Sequence, residues 1–295
     1  MHRAQHLPGA HATQAFEDSR LKVSQWLNAG NCGQVVFTHG ATSALNLLAY
    51  GLEHLFNPGD EIVISALEHH ANLLPWQQLA ERRSLTLVVL PLDADGVIDP
   101  GAAAELIGPR TRLLAVSQLS NVLGAWQPVP ALLALAKAQG ALTVIDGAQG
   151  VVHGRHNVEA LGCDFYVFSS HKLYGPDGLG VLFGRTEALG NLRHWQFGGE
   201  MVQQADYHSA SFRPAPLGFE AGTPPIASVI GLGGRPWITC PTSTRWRSSS
   251  MRQRCMTTCS MACWPATAFA WWATRAWPWS ASWSKASTTP TWPTC

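Results

Sequence analysis

Short apolar runs alternate with helical stretches along the first three-quarters of the chain, and nearly every run ends in a polar cluster. The runs QVVFT, EIVIS, LTLVVL, TRLLAVS, LTVID, FYVF and GVLF are β-branched or aromatic and too short to be helices. Between them, stretches such as ATSALNLLAYGLEHLF, LLPWQQLAERR and VPALLALAKAQG have helical length and spacing, the last with a Gly stop. A further helix is expected over residues 12–28. Strands that are apolar throughout are covered on both faces, and strands separated by helices tend to run parallel. The pattern predicts an α/β fold: a mostly parallel mixed sheet flanked by helices. In such sheets ligands sit beyond the carboxyl ends of the strands. The polar clusters fall there, at residues 38–42, 68–72, 120–121, 146–149 and 169–172.

Charge and composition narrow the function classes. The chain has 295 residues, a net charge of +1 and 13% charged residues, so it carries no electrostatic footprint for nucleic acid or an anionic membrane. No apolar run is long enough to span a bilayer, and MHRAQHLPGA has no apolar core of a signal peptide. Seven cysteines without an export signal fit a reducing compartment, and a cytoplasmic protein is expected. No G-x-G-x-x-G opens a helix after the first strand, which excludes a nicotinamide-binding Rossmann enzyme. Composition breaks sharply at Gly234. From there to Cys295 there is no Asp, Glu, Leu or Val, while nine of the thirteen Trp and five of the seven Cys fall in that stretch. Domain organisation is therefore read as 1–233, an ordinary enzyme-like domain, followed by an aberrant tail, 234–295.

The strand ends bring forward Thr42, His69, Asn121, Asp146, Gln149, Ser169, His171 and Lys172. Each alone has an ordinary reading: a helix cap, a loop imidazole, a turn carboxylate or hydroxyl, a surface lysine. As an ordered set they match the needs of pyridoxal 5'-phosphate chemistry. A lysine amine forms a Schiff base with the cofactor aldehyde. A carboxylate keeps the pyridine nitrogen protonated, a planar side chain stacks on the ring, and a helix N-terminus with hydroxyls holds the phosphate. The turn HGATSALN offers the amides of Ala41 and Thr42 and the Thr42 hydroxyl for that last task.

The stretches THGATSALN, ISALEHHANLLPW, SQLSNVLGA, VIDGAQGVVH, DFYVFSSHKLYGPDGLGVLFG and FEAGTPP resemble, in order and spacing, the group II cysteine desulfurases of the class V aminotransferase family. The resemblance covers residues 1–233 and implies the type I fold of pyridoxal phosphate enzymes. It implies Lys172 as the Schiff-base lysine, Asp146 as partner of the pyridine nitrogen and His69 as the stacking ring. Gln149 and Asn121 would face the ring hydroxyl; Thr42, Ser169 and His171 would bind phosphate. Thr223, in AGTPP, would reach the phosphate of a neighbouring subunit, implying a homodimer; the second Pro stands where the family has Asn. The implied reaction converts L-cysteine or L-selenocysteine to L-alanine. Sulfur passes to an enzyme thiolate as a persulfide and then to an acceptor protein, in sulfur metabolism and iron–sulfur cluster assembly.

Two family features are not found in the sequence: the segment upstream of HR, and a C-terminal small domain supplying a nucleophilic cysteine and a carboxylate-binding arginine. The chain is therefore expected to be truncated at its N-terminus. Read in another phase through GC-rich codons, the tail yields strings with acids and Leu/Val periodicity, which predicts a frameshift near Gly233. Cys255, Cys259 and Cys263 have helical spacing but no His or acid to complete a metal site, so no metal is expected. Impaired desulfurase chemistry is expected. The alternatives are a non-catalytic, pseudogene-like chain and another amino-acid lyase of the same fold.

Overall fold

The computed structural model describes residues 7–154 and 157–234. The tail expectation, with its cysteines and frameshift, lies outside the described residues.

Seven strands form one sheet: β1 (Gly33–Thr38), β2 (Glu61–Ser65), β3 (Thr86–Leu90), β4 (Thr111–Ser117), β5 (Leu142–Asp146), β6 (Phe165–Ser169) and β7 (Gly180–Arg185). Their order is β1-β7-β6-β5-β4-β2-β3. Pairing is parallel from β3 through β6, while β7 runs antiparallel to both β6 and β1. This is the mixed, mostly parallel sheet expected from the sequence. Because β1 and β6 are each antiparallel to β7, they run parallel to each other, and six strands point their carboxyl ends at one edge. A separate hairpin pairs β8 (Val202–Ala205) with β9 (Ala210–Phe212).

The helices of the described residues are α1 (Leu7–Trp26), α2 (Gly40–Gly51), α3 (His70–Arg83), α4 (Pro100–Leu106), α5 (Val129–Ala138), α6 (Gly150–His153), α7 (Val158–Leu161), α8 (Thr186–Gly190) and α9 (Ile226–Gly233). They cover both faces of the sheet, and the strand residues divide between two cores with the period of two that a pleated strand requires. Val35, Phe37, Val63, Leu114, Val116, Ile145, Tyr166 and Phe168 face a core completed by α1, α4, α5 and α9. Val36, Ile62, Ile64, Leu113, Ala115, Val144, Phe165 and Val167 face one completed by α2, α3 and α8. Every residue of β2 and β6 is buried, which is why neither reads as amphipathic.

Boundaries depart from the sequence reading in places. The first helix begins at Leu7 rather than near residue 12, and α2 ends at Gly51, with a 3-10 turn at Glu53–Leu55. Helix α3 begins at His70 because the Nδ1 of His69 accepts a hydrogen bond from the Ala71 amide and caps it. Helix α4 was not expected; Asp99 caps it by accepting from Gly101 and Ala102, and Pro100 opens it.

Candidate active site

The first half of the site is built around β7. Gly180 pairs with Thr38 on one side and with Ser169 on the other. A Cβ at Gly180 would lie 2.4 Å from the backbone of Gly40 and 2.4 Å from the Thr38 hydroxyl. Glycine is thus what lets the turn into α2 lie against the sheet. Gly40 has φ +83°, a left-handed backbone that glycine adopts without strain. The Ala41 amide then donates to Ser169 Oγ at 2.9 Å, joining the start of α2 to the end of β6. His39 makes no side-chain cap, so the first turn of α2 keeps amides directed at the crevice. One refinement of the sequence reading follows. The Ala41 amide is engaged by Ser169, which leaves the Thr42 amide and the Thr42 and Ser169 hydroxyls as the donors at this helix end.

The second half is Asp146, the last residue of β5 and 6% exposed. Its Oδ1 accepts from the Ala148 amide at 2.9 Å. Burial pushes its carboxyl above the usual carboxylate range; the Ala148 hydrogen bond and the electrostatic influence of nearby His69 and Lys172 pull the other way. Those two groups come from different elements. His69 stands between β2 and α3, and Lys172 lies in the 3-10 turn Ser170–Leu173 that follows β6. An exposed lysine just past a fully buried strand thus lies within electrostatic reach of the carboxylate at the end of the neighbouring strand. Thr42 and His69 also line one cavity of about 350 Å³ with Asn46, Tyr50, Leu74 and Arg82. Asp146 and Lys172 do not line it, so this cavity lies beside their pair, between α2 and α3.

The remaining expected residues sit at the same edge with looser ties. Asn121 is exposed in the turn after β4, Gln149 is half-buried at the start of α6, and His171 is exposed beside Lys172. Thr223 is exposed in the loop before α9. No side-chain hydrogen bond among the described residues joins these four to the rest.

Sequence reasoning missed the layer beneath. The Tyr166 hydroxyl donates to Gln118 Oε1 at 2.7 Å, and the Gln118 amide donates to the carbonyl of Asp146 at 2.9 Å. Arg20 makes a two-pronged contact with Glu220 at 2.6 and 3.0 Å, and Glu220 accepts from the Phe37 amide at 2.7 Å. Glu68 binds the ends of two strands. Only Glu68 carried a local signal, its place in EHHAN; the other pairs join distant parts of the sequence.

These residues fit pyridoxal phosphate. A helix end whose N-cap residue makes no side-chain bond, with the Thr42 amide left over, suits the phosphate, and a buried carboxylate held above its usual range suits a protonated pyridine nitrogen. Lys172 is an amine within electrostatic reach of that carboxylate.

Comparison with known proteins agrees with this fold. The Aminotransferase class-V family model matches residues 1–235. A probable cysteine desulfurase of Pseudomonas putida is 80% identical over 233 residues, which are 79% of this chain and 58% of that protein. The crystal structure of the cysteine desulfurase CsdA of Escherichia coli, in an S-sulfonic acid form, superposes with a TM-score of 0.73 at 42% identity, covering 79% of this chain and 59% of that one. The apo structure of a cysteine desulfurase from Thermococcus onnurineus NA1 gives a TM-score of 0.75 at 38% identity, over 79% and 58% of the two chains. The chain thus spans under two-thirds of the length of these relatives. With the family model matching residues 1–235 and the fold superposing on those solved structures, this chain belongs to the class V aminotransferase family.

Proposed function

We propose that residues 1–233 form a pyridoxal phosphate-binding domain whose chemistry is that of the cysteine desulfurases, acting on L-cysteine or L-selenocysteine. The observation that carries the reading is the meeting of Asp146, Lys172 and His69 at one sheet edge, beside the Ala41–Ser169 contact. Bound there, the cofactor supplies a ring that withdraws electrons from the substrate Cα. Asp146 holds a proton at the pyridine nitrogen, and that positive partner offsets the desolvation that raises its own carboxyl. Lys172 is the amine placed to move protons at Cα. His69, its Nδ1 occupied by the Ala71 amide, keeps its ring plane fixed and its Nε2 as the protonated nitrogen. Thr42 and Ser169 orient the phosphate.

Sulfur transfer also needs a thiolate at the substrate sulfur, and the two described cysteines are not placed for it. Cys163 precedes β6 at the opposite end of the sheet, is fully buried, and has its thiol pushed up to about 12 by burial and by the charge of Asp164. Cys32 precedes β1 at that same far end. The accepting thiol must come from outside the described residues, and desulfuration by this chain is expected to be weak. The reading includes a homodimer, with exposed Thr223 reaching the neighbouring subunit, a sulfur-acceptor protein, and a cytoplasmic setting that keeps thiols reduced. No helix among the described residues is long and apolar enough to cross a membrane.

The test is covalent. The purified full chain, incubated with pyridoxal phosphate and then borohydride, is digested and mapped by mass spectrometry. A reduced adduct at Lys172 that disappears in Lys172→Ala is the expected result; absence of any adduct at Lys172 refutes the reading.

A further inference from the structure

Glu68 stands one residue before His69, in the turn between β2 and α3, and its carboxylate is inward-facing although the residue as a whole is only half-buried. Four donors converge on it. Oε1 accepts from Ser65 Oγ at 2.5 Å and from the Ser117 amide at 3.0 Å. Oε2 accepts from Asn72 Nδ2 and from Ser117 Oγ, each at 2.6 Å. The directions of two of these bonds are fixed by their neighbours. Asn72 Oδ1 accepts from Trp76 Nε1 at 2.9 Å, so its amide nitrogen must face Glu68. Ser65 Oγ accepts from the Leu67 amide at 3.2 Å, which leaves its proton for Glu68. The carboxylate therefore joins the end of β2 (Ser65), the end of β4 (Ser117) and the first turn of α3 (Asn72).

These ties flank His69, which is itself exposed. The residue before it is held by Ser117, the carbonyl of His69 accepts from the Asn72 amide at 2.7 Å, and its Nδ1 accepts from the Ala71 amide at 3.1 Å. Ser117 in turn is the residue of β4 paired with Asp146 on β5. One continuous path runs from Asp146 across the sheet to Ser117, through Glu68, to His69. Nothing in the proposed chemistry uses Glu68 directly, yet it lies on this path.

We propose that Glu68 is a positioning residue of the site: its carboxylate clamps the turn bearing His69 to the end of β4, whose Ser117 pairs with Asp146, and so fixes the imidazole at that edge of the sheet. The proposal rests on the cofactor reading for its consequence and on the hydrogen bonds alone for its geometry. A carboxylate is required, because all four bonds arrive as donors. Glutamine places an NH₂ group against the Ser117 amide in one orientation and against the Asn72 amide in the other.

The experiment compares the full wild-type chain with Glu68→Gln and Ser117→Ala, using two readouts. The first, long-range ¹⁵N NMR of the His69 ring, assigned with His69→Gln, reports the tautomer and needs no cofactor. Wild type is expected as the Nε2–H form with Nδ1 accepting; Glu68→Gln is expected as a mixture of tautomers. The second is titration with pyridoxal phosphate followed by borohydride trapping. Glu68→Gln is expected to weaken uptake roughly 10–100-fold, by analogy with the loss seen when a group that orients a metal ligand is removed. Ser117→Ala keeps the carboxylate, removes one donor and shifts both readouts the same way by less. A global loss of stability would not change the tautomer of the folded protein. Wild-type tautomer and wild-type titration in a folded Glu68→Gln overturn the proposal. If that variant does not fold, unchanged readouts in Ser117→Ala overturn it. If wild type takes up no cofactor, the cofactor reading fails, and the tautomer comparison still decides the role of Glu68.

Discussion

Glu220→Gln tests how the loop that carries Thr223 is held. Glu220 and Arg20 are 200 residues apart, and their side chains are 7% and 11% exposed. Glu220 takes both prongs of the guanidinium and the Phe37 amide, while Arg20 also donates to the Val35 carbonyl at 2.8 Å and lies over the rings of Phe16 and Phe37. Burial works against the charge of Arg20, and the hydrogen bonds and charges of Glu220 and Glu17 more than offset it, holding the guanidinium above its ordinary value. Glutamine keeps one accepting oxygen for Phe37 and one Arg20 prong, but turns an NH₂ toward the other prong and removes the charge. The counter-charge that remains is Glu17 at 2.9 Å, whose side chain is 42% exposed. Breaking a buried pair from one side costs about 3–5 kcal/mol. An exposed partner returns at most about 1 kcal/mol. We therefore expect a loss of about 3 kcal/mol. For a domain of this size that lowers Tm by roughly 6–12 °C. Urea and thermal melts of the full chain, followed by far-ultraviolet circular dichroism, measure it. The double variant Arg20→Met/Glu220→Gln leaves no unpaired buried charge and is expected to be more stable than Glu220→Gln alone. A single-variant loss below about 1 kcal/mol, or a double variant with the plain sum of the two single losses, refutes the reasoning.

Two further outcomes follow from the site. Asp146→Asn is expected to melt higher than wild type at neutral pH without cofactor, by roughly 0.5–2 kcal/mol. The sign follows from the raised carboxyl: the stability it contributes is complete below the ordinary carboxylate range and is lost as pH rises through the raised value, so the advantage of asparagine vanishes in acid. Equal melts of the two proteins at neutral pH would contradict this. Gly180→Ala is expected to destabilise the fold by about 1–3 kcal/mol, the usual cost of forcing a methyl into filled space. Because the clash is with the Gly40 backbone, it should also weaken pyridoxal phosphate uptake in the same titration; full uptake would show that the turn into α2 tolerates displacement.

Much of this architecture was legible because buried parallel strands cannot hide: the IVI centre of EIVIS and the run FYVF are unbroken apolar stretches, and both strands are buried throughout. The candidate site residues could be picked out for a related reason, since polar groups at strand ends stand out against such runs. Helix α4 escaped because PGAAAEL is short and weakly patterned, although Asp99 and Pro100 mark its start. The β8–β9 hairpin escaped because Val202–Ala205 reads VQQA, mostly exposed, with no apolar alternation. The reversal of β7 is not written in GVLFG, whose apolar character is the same in either direction. The tie between Ala41 and Ser169, and that between Arg20 and Glu220, depend on which strands become neighbours, and local sequence does not specify that.

The position of β7 has a consequence for biosynthesis. Strand β1 is at the edge of the sheet and its partner there is β7, whose last residue, Arg185, leaves the ribosome 147 residues after Thr38. At about 5–20 residues per second, Val35, Val36 and Phe37 wait roughly 7–30 s for the strand that will hold them. Through that interval a nascent chain carries an apolar ribbon with unsatisfied amides, a natural client for holdase chaperones, and the cradle formed by α2 can close only when translation has passed the lysine that the cofactor would engage.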